Sequence, residues 1–219
     1  LVGSEMCIRD SYLKSGSKEQ NILAKQGDDL RIDWGYFYMV AGKENTAYSV
    51  GNSTELRKNF VNGTLNSASL EGEDSNGNMA LVRSHGKVKN VTDKIMLGYD
   101  DIYSIQYFGT NLRPYWNSKG DRTIEAEMLA AYNEYDKLLA RCYAFDKKLM
   151  EDASAAGGKE YAELCALAYR QSIAAHKLVE APNGDLLWLS KENNSNGCIN
   201  TVDLTYPSAP LYLIYNPEL

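Results

Sequence analysis

The sequence predicts an α+β chain, with strands in its first half and helices in its second. Three observations carry that reading. From Leu30 to Val40, the residues Leu30, Ile32, Trp34, Tyr36, Tyr38 and Val40 alternate with Arg31, Asp33, Gly35, Phe37 and Met39. That is the period of a strand with one apolar and one mixed face. From Thr123 to Met150, Ile124, Met128, Ala131, Tyr135, Leu138, Cys142, Phe145 and Leu149 recur at three- and four-residue steps, the stripe of one long amphipathic helix. Between the two, Asn117-Ser118-Lys119-Gly120-Asp121 is short, polar and Gly-containing, as a joint should be. The expected division is therefore residues 12–116 and residues 117–219.

The first residues stand apart. Leu1–Asp10 read L-V-G-S-E-M-C-I-R-D, the translation of a transposase adapter used in preparing sequencing libraries, and Ser11 would share its codon with it. Residues 1–11 are expected to be a scar, with the true start and any signal peptide upstream.

Further strands are expected at Thr46–Val50, Met79–Ser84, Lys94–Tyr99 and Ile102–Phe108. Asn62-Gly63, Asn76-Gly77 and His85-Gly86 supply turn chemistry between them. Ser53–Phe60 reads as a short helix capped by Ser53, with Leu56 and Phe60 four apart. Short strands separated by turns point to a sandwich. In the second half, Asp121 is the expected cap of the long helix, and Ala155-Ala156-Gly157-Gly158 ends it. A second helix is expected from Lys159 to Val179, with Tyr161, Leu164, Cys165, Ala168, Ser172, Ala175, His176 and Val179 inward, stopped by Pro182-Asn183-Gly184. Leu186–Leu189 suits a brief strand. Ser208 is expected to cap a last helix through Leu211–Tyr215, with Pro210 in its first turn.

Composition limits the function classes. Of 219 residues, 44 % are hydrophobic and 24 % charged, as in an ordinary globular protein. Net charge is −6, or −5 without Glu5, Asp10 and Arg9, and no Lys/Arg run occurs. A nucleic-acid partner would need a basic stripe. There is no apolar run of the length that spans a membrane. With Cys7 set aside, an odd count of three cysteines with no close spacing supports neither a disulfide framework nor a zinc site. Cys142 and Cys165 are expected to be small buried hydrophobes, and Cys198 has no neighbouring His to activate it.

The chemistry concentrates near the end. Leu189–Pro217 reads L-S-K-E-N-N-S-N-G-C-I-N-T-V-D-L-T-Y-P-S-A-P-L-Y-L-I-Y-N-P. Asn and Gly accept the left-handed backbone of tight loops, and Asn amides both donate and accept, which suits a small polar ligand; the same residues could equally cap and cross-link a connection. Glu192 and Asp203 lie on either side of Gly197, so folding back could bring both to one pocket wall. Two carboxyl groups in different settings can divide acid and base work. Asp203, between Val202 and Leu204, is the one expected to be partly buried; its alternative role is bonding loop amides. Asn193, Asn194, Asn196, Thr201, Tyr206 and Trp188 are the expected substrate contacts. S-x-x-K occurs at Ser11–Lys14, Ser15–Lys18 and Ser84–Lys87, none opening a convincing helix, and these read as chance. No G-x-S-x-G elbow, H-E-x-x-H helix or phosphate-cradling Gly loop occurs, so no metal and no cofactor is expected. His85 falls in a turn, and His176 reads as a packed helix residue.

Four long segments carry a family resemblance. They are D-D-L-R-I-D-W-G-Y-F-Y-M-V-A (Asp28–Ala41), L-G-Y-D-D-I-Y-S-I-Q-Y-F-G-T-N-L-R-P-Y-W (Leu97–Trp116), G-G-K-E-Y-A-E-L-C-A-L-A-Y-R-Q-S-I-A-A-H-K-L (Gly157–Leu178) and Ser190–Pro217. From about Tyr12 to its last residue the chain resembles the bacterial and fungal glutaminase A family. The resemblance implies the C-terminal part of a β-sandwich, followed by the first hairpins of an (α/α)6 toroid of six helical hairpins, truncated at both ends. It further implies glutamine hydrolysis by the full-length protein, an extracytoplasmic (periplasmic or secreted) location, and inactivity of this piece alone, with uncovered apolar helix faces. Cys198 and Asn200 depart from the small residue and the Gly expected there. Six-hairpin toroids also commonly hold inverting glycosidases, which use two carboxylates, so glycoside hydrolysis is the runner-up. A non-catalytic module binding carbohydrate or protein is a third reading.

Overall fold

The computed structural model describes residues 2–6, 10–25, 32–65, 77–191 and 197–219. The chain forms two compact units. One takes Leu1–Ile22, Asp33–Asp101 and Ile124–Leu129, and the other takes Leu23–Ile32, Ile102–Thr123 and Ala130–Leu219.

The first unit holds β1 (Val2–Met6), β2 (Asp10–Gly16), β3 (Tyr36–Gly42), β4 (Thr46–Asn52), α1 (Ser53–Val61), β5 (Gly77–Arg83) and β6 (Met96–Asp100). An antiparallel sheet runs β1-β2-β3-β6, and β4 pairs with β5 as a separate hairpin. Register sorts the side chains into two layers. Leu13 and Met39, directly opposed, pack with Tyr48, Val50, Met79 and Leu81 of the hairpin. On the other face Tyr12, Tyr38 and Val40 pack against Met128 and Ile124 of α2 (Ile124–Asn133). Gly98 lets the helix approach, since a Cβ there would lie 2.6 Å from Met128 Sδ. Tyr38 Oη donates to Glu125 Oε1 at 3.1 Å, and burial, followed by the Glu125 charge, pushes its phenol well up.

Several expectations are corrected here. Leu30 and Arg31 lie outside the described residues, and regular pairing starts only at Tyr36. Trp34 is instead held by its indole N–H on Asp101 O at 2.8 Å. The cap of α1 is Asn52, whose Oδ1 accepts from Thr54 N at 2.9 Å, one residue before the expected Ser53. β2, a short D-S-Y-L-K-S-G run, was not anticipated. Asp93 accepts from Arg83 at 2.6 Å and sits 3.1 Å from His85 Nε2. The Arg83 bond, followed by the Lys94 backbone N–H, holds its carboxyl below the usual range.

The second unit holds β7 (Ile105–Tyr107), β8 (Thr110–Leu112), a 3-10 turn at Tyr115–Asn117, α3 (Tyr135–Gly157), α4 (Lys159–Ala174), β9 (His176–Glu180), β10 (Leu186–Ser190) and α5 (Val202–Tyr215). The expected strand 102–108 is a hairpin, because Phe108 and Gly109 both take positive φ (45° and 82°) and reverse the chain. Ile105, Leu112 and Val179 form its core with Leu187, Leu189 and Ile199. The expected 123–150 helix is divided at Glu134 (φ −93°, ψ 6°) into α2 and α3.

α3 and α4 form a helical hairpin turned at Gly158, where φ is +86°. Ala162, fully buried, keeps the two close. Rings of Phe145, Tyr169 and Tyr215, 5.0–5.6 Å apart, tie α3, α4 and α5 together. Cys142 is exposed and Cys165 half-buried, contrary to expectation: Cys165 shares a side of α4 with Ala162, Tyr169 and Ser172 that is only partly covered, and the α3 stripe is left uncovered at Cys142.

The largest correction concerns 175–180. The second helix stops at Ala174, and His176–Glu180 is a strand paired with β10. Pro182-Asn183-Gly184 is thus a hairpin turn, closed by Ala181 N→Asp185 O and Gly184 N→Ala181 O, both 2.9 Å. Extending the helix would have carried Val179 away from Ile105 and Leu112, where it is fully buried. α5 also starts earlier than expected, at Val202, and keeps Pro207 and Pro210 inside it. Ser208 is not its cap; its hydroxyl donates back to Leu204 O (2.9 Å) and Thr205 O (3.1 Å). α5 is apolar around its circumference, and Val202, Leu213 and Ile214 are exposed, as are Leu164 and Leu167 of α4.

Candidate functional site

The β9–β10 hairpin sorts its side chains by alternation. Val179, Leu187 and Leu189 go to the core, while His176 and Trp188 share the opposite face. Their rings stack, with centroids 5.1 Å apart and planes within 13°. Tyr212 of α5 closes edge-on against both, at 5.2 Å from His176 and 5.8 Å from Trp188.

Polar bonds lock this aromatic cluster to α4. His176 Nδ1 lies 2.6 Å from Ser172 O, a carbonyl of the last turn of α4 that also accepts from Ala175 N at 3.2 Å. Tyr212 Oη lies 2.5 Å from Ser172 Oγ and 3.2 Å from His176 Nδ1. The connection from β10 to α5 is pinned just beyond. Lys191 N donates to Ala175 O and Asn200 N to Ser190 O, both at 2.8 Å. Lys191 and Ile199 form a bridge. Ser190, fully buried, meets Thr205 Oγ1 at 3.3 Å, and Thr205 donates to Asn200 Oδ1 at 2.9 Å. Asn200 takes φ +55°, a left-handed position that Asn tolerates almost as Gly does.

Among the described residues, Trp188 Nε1 and Thr201 Oγ1 are sealed from solvent without a hydrogen-bond partner. Thr201 occupies the N-cap position of α5, yet its side chain makes no capping bond. Such orphaned groups cost about 1–3 kcal/mol each, which a ligand able to bond them would relieve. Among the described residues no group of three His, Cys, Asp or Glu could hold a metal ion.

Comparison with known proteins now decides the family. The model of a domain of unknown function, DUF5127, matches residues 6–152, and that of the glutaminase A six helical-hairpin domain matches residues 158–219. The chain belongs to the glutaminase A family. It is 30 % identical over 205 residues to glutaminase A of Aspergillus oryzae, covering 86 % of this chain and 29 % of that protein. A probable glutaminase of Arthroderma benhamiae is 25 % identical over 214 residues, covering 86 % of this chain and 24 % of that protein. The chain thus spans 24–29 % of the length of these relatives. No solved structure matches it.

Within this glutaminase A family chain, the expected site residues fall in different settings. Glu192, Asn193, Asn194 and Asn196 lie outside the described residues. Trp188 and Thr201 lie in the pinned region as the two orphaned polar groups. Tyr206 is 80 % exposed. Asp203 is exposed in the first turn of α5, contrary to the partial burial expected from its apolar neighbours. The reason is periodicity. In a helix, residues 202, 203 and 206 share one face, which here is the outer one, while Leu204, Thr205, Ser208 and Tyr212 face inward.

Sequence reasoning missed His176, Tyr212, Ser172 and Ser190. The available signal was the alternation of His176-Lys177-Leu178-Val179-Glu180, which a proline–glycine turn then reflects into Leu186–Ser190.

Proposed function

We propose that the whole protein hydrolyses the side-chain carboxamide of glutamine. Water adds to the amide carbon, the C–N bond breaks, and nitrogen leaves as ammonia with a proton supplied by an acid group. The observation that carries this reading is the rigid His176–Trp188–Tyr212 cluster, with two orphaned polar groups beside it, in a chain whose relatives bear the glutaminase name. Asp203 and Glu192 are the carboxylates proposed to share acid and base work. Trp188, Thr201, Asn193, Asn194, Asn196 and Tyr206 are proposed to hold the substrate. An exposed Asp203 can serve such a role only where a bound substrate reaches the first turn of α5.

Ammonia release from glutamine by the whole protein tests the proposal, and Asp203→Asn should lower turnover about a hundredfold or more. The second reading, glycoside hydrolysis, draws on the exposed ring of Tyr206 as a stacking platform. Reducing-sugar release from a glycan panel without ammonia would establish it instead. Binding of either ligand class without turnover would leave a non-catalytic module. The family resemblance also supports a location outside the cytoplasm, which fractionation of producing cells would check.

A further inference from the structure

We propose that His176 is the residue that distinguishes the amide substrate from its acid product, through the lone pair on Nε2; this rests on the carboxamide reading above. A backbone carbonyl can only accept, so the 2.6 Å contact from Nδ1 to Ser172 O places the ring proton on Nδ1. The neutral imidazole then carries its lone pair at Nε2. The ring cannot easily turn to exchange the two nitrogens. Trp188 stacks on one face, Tyr212 meets it edge-on, and Tyr212 Oη is itself tied to Ser172 Oγ at 2.5 Å. Nε2 has no hydrogen-bond partner among the described residues, and it is not one of the sealed polar atoms.

A fixed acceptor of this kind reads donors. A primary carboxamide offers two N–H groups, whereas the carboxylate left after hydrolysis offers none and would set two lone pairs against a third. The discrimination has the sign an amidase needs, because it holds substrate and releases product. Capping of α4 by His176 uses Nδ1 alone, so a purely structural role predicts nothing about Nε2.

That difference sets the experiment. The whole protein is titrated with L-glutamine and with L-glutamate while the indole N–H resonance of Trp188, assigned with Trp188→Phe, is followed by NMR. Saturable shifts are expected with glutamine, and binding about tenfold weaker or less with glutamate. His176→Asn places an amide N–H where Nδ1 stood and removes Nε2. It should keep the melting temperature and lose the preference for glutamine. His176→Gln, whose amide reaches the Nε2 position, should recover part of it.

Equal affinity of the wild type for both ligands, or an unchanged preference in His176→Asn, overturns the assignment and leaves the carboxamide reading standing. Failure of either ligand to shift the wild type overturns both. If His176→Asn melts early, the preference ratio in His176→Gln decides: a ratio near that of the wild type supports the assignment, and a ratio of one overturns it.

Discussion

Replacing Trp188 by Phe tests whether the indole N–H is truly orphaned. For an ordinary buried Trp, the change removes about 40 Å³ of side chain, or about 1 kcal/mol at the usual cost of cavity volume. It also forfeits a hydrogen bond worth about 1 kcal/mol. The expected loss is then about 2 kcal/mol, with a further fraction from a weaker stack on His176. Here Nε1 is sealed and bonds nothing among the described residues, so the hydrogen-bond contribution changes sign. Removing an unpaired buried donor recovers about 1–3 kcal/mol. The two effects nearly cancel, and Trp188→Phe should be neutral or mildly stabilising.

At about 2–4 °C per kcal/mol for a chain of this length, the orphaned case keeps the midpoint within about 3 °C, while the ordinary case lowers it by about 4–8 °C. Thermal melts followed by near-ultraviolet circular dichroism, in parallel with urea unfolding, separate the two. A fall beyond about 5 °C would show that Nε1 has a partner in solution, and the argument from orphaned groups would fail with it. The same variant should lose affinity for glutamine, so stability and binding ought to move independently.

Three further outcomes follow from the geometry. Gly98→Val drives a branched side chain into Met128, whose Sδ lies 2.6 Å from the position of a Cβ, and should cost about 1–3 kcal/mol by urea denaturation. Asp93 is held below its ordinary carboxyl range by Arg83, so its contribution is complete above the unfolded value near 3.9 and fades as pH falls through the lower folded value. Asp93→Asn should therefore lower the melting point at pH 6 and leave it unchanged once both carboxyl states are protonated. Asp203→Asn removes an exposed charge from the first turn of α5 and should cost less than about 1 kcal/mol by thermal melt, whatever it does to turnover.

Those elements that sequence alone revealed are the ones whose signal is local. Tyr36 to Val40 alternate because both faces of β3 are covered by different partners, and α3 and α4 show helical stripes ended by Gly157-Gly158. Phe108-Gly109 hid a hairpin because a non-glycine residue at positive φ leaves little trace in composition. β2 was invisible for another reason. Its seven residues acquire a face only when Leu13 is placed opposite Met39 and Tyr12 opposite Val40, so its identity as a strand is tertiary.

The site divides along the same line. Trp188 and Thr201 stand out in the sequence because they flank a conspicuous Asn- and Gly-rich stretch. His176 was misread because Ala174-Ala175-His176 continues the helical spacing of α4 for one more step, and nothing local says where the helix yields. What ends it is distant: Val179 must reach Ile105 and Leu112, and β9 must meet β10. Once the strand forms, alternation alone sends His176 to the face opposite Val179, where Trp188 arrives from one side and Tyr212, thirty-six residues on, from the other. Ser172, still helical, presents the carbonyl that fixes the imidazole proton. The chemistry of this residue is therefore a product of the switch from helix to strand between Ala174 and His176. A variant that extended α4 through Val179 would leave every side chain present and abolish the arrangement.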